Sequence, residues 1–204
     1  GGIGNQQRKF AVPPKLGEEK TITFELKLVA DVGLVGFPNA GKSTLISAIS
    51  KVRSKIANYP FTTKRPILGI VEREDHNFAV ADLPGIIEGA HKGKGLGDRF
   101  LRHAERTKIL VHVVDMAGTE GRDPIEDYEK ILYEVNEYSD VLNAKHKIIV
   151  ANKMDLPEAK DNLKKFKAKY SDLVFDVSAV ESKGLNKLVD HLDELLCRES
   201  SQEN

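Results

Sequence analysis

Gly36-Phe37-Pro38-Asn39-Ala40-Gly41-Lys42-Ser43 follows the apolar run Val32 to Val35 and leads into Thr44 to Val52, a helical pattern. Glycine, four residues, then Gly-Lys-Ser, set between a strand and a helix, is a phosphate-binding pattern in the context it requires. Its glycines let the backbone wrap so that successive N–H groups face one anion, and the helix that starts there adds its partial positive charge. Lys42 is the candidate for the β and γ phosphates. The Ser43 hydroxyl is a candidate ligand for Mg²⁺, a hard cation that prefers oxygen. Gly36, Asn39, Ala40, Gly41 and Thr44 complete the candidate phosphate-side set. A plain glycine turn is the competing reading, and the strand-to-helix context weighs against it.

Working outward, short β-rich runs alternate with helical patterns. Ile67 to Val71, Phe78 to Ala81 and Ile109 to Val114 read as strands, and Pro124 to Leu142 as a helix. Ile148 to Val150 and Val174 to Val177 read as further strands, with a helix near Glu158 to Lys169 between them. Leu185, Leu188, Val189, Leu192, Leu195 and Leu196 then form one apolar stripe on a last helix. Repeated βα units predict an α/β fold of the P-loop NTPase class, a mostly parallel sheet with helices on both faces.

Asp82-Leu83-Pro84-Gly85 closes the strand that ends at Ala81. Asp82 is a candidate to hold Mg²⁺ through water, and the Gly85 N–H suits a γ phosphate. Alone this motif would be a turn; its place 40 residues after Lys42 gives it weight. A phosphate cradle does not choose a base. Asn152-Lys153-Met154-Asp155 follows the strand Ile148 to Val150, where a carboxylate can accept from guanine N1–H and the 2-amino group, donors that adenine lacks in that arrangement. Leaving a buried carboxylate unpaired in the wrong complex is costly, so Asp155 can discriminate strongly. Lys153 would lay its aliphatic stem over the base, Asn152 would brace the loop, and the Ser178-Ala179 turn would offer a backbone N–H to guanine O6.

The 204 residues suit one ordinary domain, and 31 basic against 31 acidic residues give no charge-based reason to expect nucleic acid or membrane as a partner. The one cysteine, Cys197, reads as passive: it cannot form an internal disulfide and shows no pairing with a nearby basic group that would argue for a reactive thiol. His91 and His103 read as structural or exposed, with no zinc-type ligand cluster near them. No apolar run approaches a membrane span, so a cytoplasmic location is expected. The chain opens on Gly1 and reads as a fragment: a linker and remnant over 1–29, a nucleotide-binding domain over 30–198 and a disordered tail over 199–204. Ile22, Phe24, Leu26 and Leu28 alternate with polar residues as a strand would.

These four motifs, in this order, resemble those of the Ras-like GTPases, and their details resemble the Obg family. Tyr59-Pro60-Phe61-Thr62-Thr63 with Leu68-Gly69 is similar to the family's switch I, which implies Thr63 as the residue reaching Mg²⁺ and the γ phosphate. Ala81 to Ala90, continuing through Gly93, Gly95, Gly97 and Phe100-Leu101-Arg102-His103, is similar to its glycine-rich switch II. Residues 1–10 are similar to the tail of the family's N-terminal glycine-rich domain. The resemblance implies GTP and GDP as ligands, Mg²⁺ as cofactor, and Lys42, Thr63 and Gly85 as catalytic groups. It further implies association with the large ribosomal subunit in its assembly, with guanosine polyphosphate alarmones as competing ligands and roles in growth and stress control.

Where many Ras-like enzymes carry a glutamine after Asp-x-x-Gly to orient water, this chain has Ile86. Slow intrinsic hydrolysis follows, with an element supplied by Thr63, backbone or a partner. Asn39 stands where a potassium-activated subset of related GTPases holds K⁺; the alternative is a turn residue bracing the loop. Arg99, Arg102 and Arg106 would form a basic stripe, read first as a solvated face and second as an RNA contact. Two other function classes remain: a guanine-nucleotide or alarmone sensor with negligible turnover, and an ATP-dependent kinase for which Asp155 would be incidental.

Overall fold

The computed structural model describes residues 17, 30–50, 55–56, 67–83, 105–170 and 173–202, with backbone alone at 55–56, 138 and 200–202. Seven strands form one sheet: β1 Val32–Val35, β2 Lys55–Ile56, β3 Ile67–Glu72, β4 Asn77–Asp82, β5 Ile109–Asp115, β6 His146–Asn152 and β7 Val174–Asp176. Their order is β2-β3-β4-β1-β5-β6-β7. The strands β4, β1, β5, β6 and β7 run parallel, while β3 pairs antiparallel with β4 and β2 antiparallel with β3. The mostly parallel sheet predicted by the motif rhythm is therefore present. The two-residue β2 was not anticipated.

Strand alternation decides which helix covers which face. Val32, Leu34, Val111, Val113, Ile148 and Val150 face α1, Lys42–Ile49, and α5, Leu185–Gln202, in one cluster. Val35 and Leu110 pack instead with Ile131 and Val135 of α2, Pro124–Tyr138, and with Leu142 of α3, Asp140–Asn143. Val114, Ile149 and Ala151 join Tyr128 of α2 and Phe166 of α4, Ala159–Lys169. Burying both faces explains why these strands read as near-continuous apolar runs.

The single helix expected from Pro124 to Leu142 is corrected to two. Ser139 is extended at φ −157° and ψ 124°, and its hydroxyl accepts from Leu142 N, so it caps a second helix rather than continuing the first. The start of α2 was better marked: Asp123 accepts from the N–H groups of Ile125 and Glu126, with Pro124 at the first helical position. The last helix runs to Gln202, into the stretch 199–204 expected as a disordered tail. The strand expected at Ile22 to Leu28 lies outside the described residues. Among them, no helix is long and apolar enough to cross a membrane.

Candidate nucleotide-binding site

Parallel strands bring their carboxyl ends to one edge of the sheet, and the site forms there. The loop after β1 enters α1 through Gly41, which sits at φ +94°. A β-carbon on Gly41 would collide with the Asn152 side-chain amide, so both conformation and space require glycine. Lys42 Nζ turns back over the loop and donates to the carbonyls of Gly36 at 2.8 Å and Phe37 at 3.1 Å. It lies 3.9 Å from Asp82 Oδ1 at the end of β4.

Asp82 Oδ1 is buried and has no hydrogen-bond partner among the described residues. Burial pushes its carboxyl above the usual carboxylate range, and the Lys42 ammonium opposes that shift. A buried, unsatisfied carboxylate oxygen beside Lys42, which lines one cleft with Ser43, fits a Mg²⁺ ion, whose ligands are oxygens.

At the other end of the cleft Asn152, buried at the end of β6, joins three segments. Its Nδ2 donates to Ala40 O at 2.9 Å, and its Oδ1 accepts from Ala179 N at 3.1 Å. Ala40, Asn152 and Ala179 are thus one hydrogen-bonded chain linking the phosphate loop, β6 and the turn after β7. The Ser178 hydroxyl donates to Asp155 Oδ1 at 2.6 Å and so fixes that carboxylate, which is exposed. Lys153 adopts φ +64° and donates from Nζ to Asp115 Oδ2 and Thr119 Oγ1, each at 2.9 Å. A cleft of about 550 Å³ runs from Asn39, Lys42 and Ser43 to Asp155, Leu156 and Val180, a size suited to a small-molecule ligand.

The structure therefore gathers Gly36, Asn39, Ala40, Gly41, Lys42, Ser43, Thr44, Asp82, Asn152, Lys153, Asp155, Ser178 and Ala179 along one edge. Thr63, Gly85 and Ile86 lie outside the described residues, as do Arg99, Arg102, His91 and His103. The Ala179 N–H is already donated to Asn152, a use that the sequence reading did not foresee. Nor did that reading find Asp115, Thr119, Glu120 and Arg122. Asn39 Nδ2 donates to Glu120 Oε1 at 2.8 Å. The Arg122 guanidinium lies 3.9 Å from the centre of the Phe37 ring, held there by paired bonds of 2.7 Å to Asp127. The one signal available was an aspartate at the end of β5, beside the Asn152 strand.

Away from the cleft, Lys164 pairs with Asp161, Lys167 with Asp176 and Lys169 with Glu129, while Leu163 and Phe166 are buried. These lysines form a solvated face over the buried Leu163 and Phe166. Cys197 is exposed, and it does have a basic neighbour: its sulfur lies within 4.8 Å of ligand atoms of His76 and Asp193. The β3–β4 hairpin, distant in sequence, brings His76 to α5. Asp193 is already engaged, by Arg73 Nε at 2.9 Å and His76 Nε2 at 2.7 Å.

A phosphate loop and an Asn-Lys-x-Asp strand end on one cleft, with a strand-end aspartate beside the loop's lysine, define the nucleotide domain of a P-loop GTPase. The family model described as "50S ribosome-binding GTPase" matches residues 31–153, and the chain belongs to that family. GTPase Obg of Alkaliphilus oremlandii is 51% identical over 208 residues, covering 96% of this chain and 48% of that protein. GTPase Obg of Bacillus licheniformis is 54% identical over 202 residues, 93% and 47% respectively. The chain thus spans about half the length of the curated relatives it matches. Among solved structures, the G domain of the T. maritima FeoB iron transporter matches with a TM-score of 0.60 at 23% identity, over 82% of this chain and 99% of that one. A nucleolar GTP-binding protein of Plasmodium falciparum matches at 0.63 and 18%, over 84% and 88%. At these identities the structures establish the shared fold.

Proposed function

We propose that this chain is the nucleotide-responsive domain of a protein that binds GTP and GDP, hydrolyses GTP slowly with Mg²⁺, and uses the change as a switch during assembly of the large ribosomal subunit. The observation that carries the proposal is the shared cleft: Asp155, fixed by Ser178, stands at one end, and Lys42 with Asp82 at the other. Asp155 accepts from guanine N1–H and the 2-amino group. Lys153 lays its stem along the base, and Ala179 shares its N–H between Asn152 and guanine O6. The Lys42 ammonium exchanges loop carbonyls for phosphate oxygens and stabilises charge that develops during transfer.

Ser43, Asp82 and Thr63 are the residues that would hold Mg²⁺, which neutralises phosphate charge when bound. Backbone N–H groups of the loop and of Gly85 orient the phosphates. Ile86 has no side-chain group to orient water, so hydrolysis is slow until a partner contributes one. Asn39 gives its amide nitrogen to Glu120, leaving its oxygen as the atom for a K⁺ ion; hydrolysis equally fast in K⁺ and Na⁺ at matched ionic strength would remove that part. Alarmones, being guanine nucleotides, would compete through the same base contacts.

The ribosomal part rests on the description of the matched family. Single-turnover GTP hydrolysis by the full-length protein, with and without purified large subunits, tests it. Acceleration by the particles is expected. An unchanged rate, with no co-sedimentation in GTP analogue, would overturn it.

A further inference from the structure

The turn that follows β5 touches the cleft at both ends, and no nucleotide motif includes it. Asp115 stands opposite Asn152 in the β5–β6 register, so its carboxylate emerges beside the base strand. The chain then passes through three left-handed residues, Gly118 at φ +63°, Glu120 at φ +66° and Gly121 at φ +70°. Glu120 bears a side chain, and a left-handed conformation there is held at a cost by its surroundings. Its exposed carboxylate meets Asn39, itself left-handed at φ +62° in the phosphate loop.

We propose that Asp115, Thr119 and Glu120 are nucleotide-positioning residues: the first two fix Lys153 across the base end, and the third fixes Asn39 at the phosphate end. The inference rests on reading the cleft as a guanine-nucleotide site. Lys153 Nζ is shared between the Asp115 carboxylate and the Thr119 hydroxyl, and that hydroxyl in turn donates to the same Asp115 oxygen. The backbone N–H groups of Ala117 and Thr119 also donate to Asp115, at 3.1 and 3.2 Å. The carboxylate is thus anchored by its own turn, and the ammonium is anchored by the carboxylate. A flexible four-carbon side chain is thereby aimed before any ligand arrives, which removes part of the ordering cost from binding. Arg122, held by Asp127 against the Phe37 ring, fastens the far end of the same turn to the same loop.

A role confined to loop stability would lower the unfolding midpoint without coupling to Lys153. Release of fluorescent GDP, followed by displacement, separates the two. Asp115→Asn is expected to speed release about tenfold, the size of one lost charge-assisted hydrogen bond. Lys153→Met should do the same, and the double variant should release GDP no faster than Lys153→Met alone, because the two residues act as one unit. Thr119→Val should speed release, and Thr119→Ser should restore the wild-type rate. If the wild-type chain does not retain GDP, the nucleotide reading itself fails. If it does retain GDP and Asp115→Asn is within twofold of it, or the double variant is fully additive, the positioning role fails. Should Asp115→Asn not fold, the Val and Ser variants of Thr119 decide by the same criterion.

Discussion

At the base end of the cleft Asn152, Lys153 and Asp155 each hold a partner within the protein, whereas at the phosphate end Asp82 Oδ1 is buried with none among the described residues. One end is hydrogen-bonded in advance; the other keeps a carboxylate and an ammonium 3.9 Å apart, too far for a hydrogen bond. Buried polar capacity left unused destabilises a fold, and Asp82 Oδ1, beside the Lys42 ammonium, is where a bound cation would satisfy it. On the proposed function, the base end would select by fixed geometry and the phosphate end would respond to what is bound.

The largest break in this contrast would come from Lys42→Ala. GTP turnover should fall on the order of a hundredfold or more, since the charge facing the transferred phosphate is lost; steady-state phosphate release measures it. A fall below threefold would mean the phosphate end is not organised around Lys42.

His112 offers a control away from the cleft. It is fully buried on β5 with both ring nitrogens lacking a hydrogen-bond partner among the described residues, edge-on to Tyr128. Desolvation first, and the Lys147 charge second, lower its pKa from 6.5 to about 3. The folded pKa lies below the unfolded one, so the unfolded chain binds the extra proton first. This contribution is complete above pH 6.5 and is lost as pH falls towards 3, at up to about 1.4 kcal/mol per pH unit. Urea unfolding across that window should show the slope, and His112→Leu should flatten it. A flattened slope with unaltered nucleotide binding would show that unsatisfied polar atoms at the phosphate end, unlike this one, relate to function.

Asn152→Ala sharpens the contrast from the base side. It strips partners from Ala40 O and Ala179 N and should destabilise the nucleotide-free protein by about 2–3 kcal/mol in urea. A smaller effect comes from Asp82→Asn: relieving the buried charge should raise nucleotide-free stability by about 1 kcal/mol while weakening Mg²⁺-dependent GTP binding. Loss of both together would contradict a carboxylate kept for a cation.

Much of this was legible in the chain because the phosphate loop, Asp82 and Asn152 to Asp155 each follow an apolar strand, and strand ends place them on one edge. The break at Ser139 was hidden, since apolar spacing continues through Leu142 while the capping hydroxyl interrupts the backbone. The turn from Asp115 to Arg122 was hidden for another reason. Its partners Lys153, Asn39 and Phe37 are distant in sequence, and the turn becomes part of the cleft once β5 lies between β1 and β6. Likewise, Ser178 could be placed at a turn, but its bond to Asp155 required β7 beside β6.

The central claim is that Asp155, fixed in advance, makes this a guanine site. Titrating GDP, ADP and xanthosine diphosphate against the wild type and Asp155→Asn tests it most directly. The wild type should prefer GDP over ADP strongly, and Asp155→Asn should weaken GDP on the order of a hundredfold while gaining affinity for the xanthine nucleotide, whose 2-oxygen can accept from the amide. Unchanged GDP affinity in Asp155→Asn would contradict the assignment.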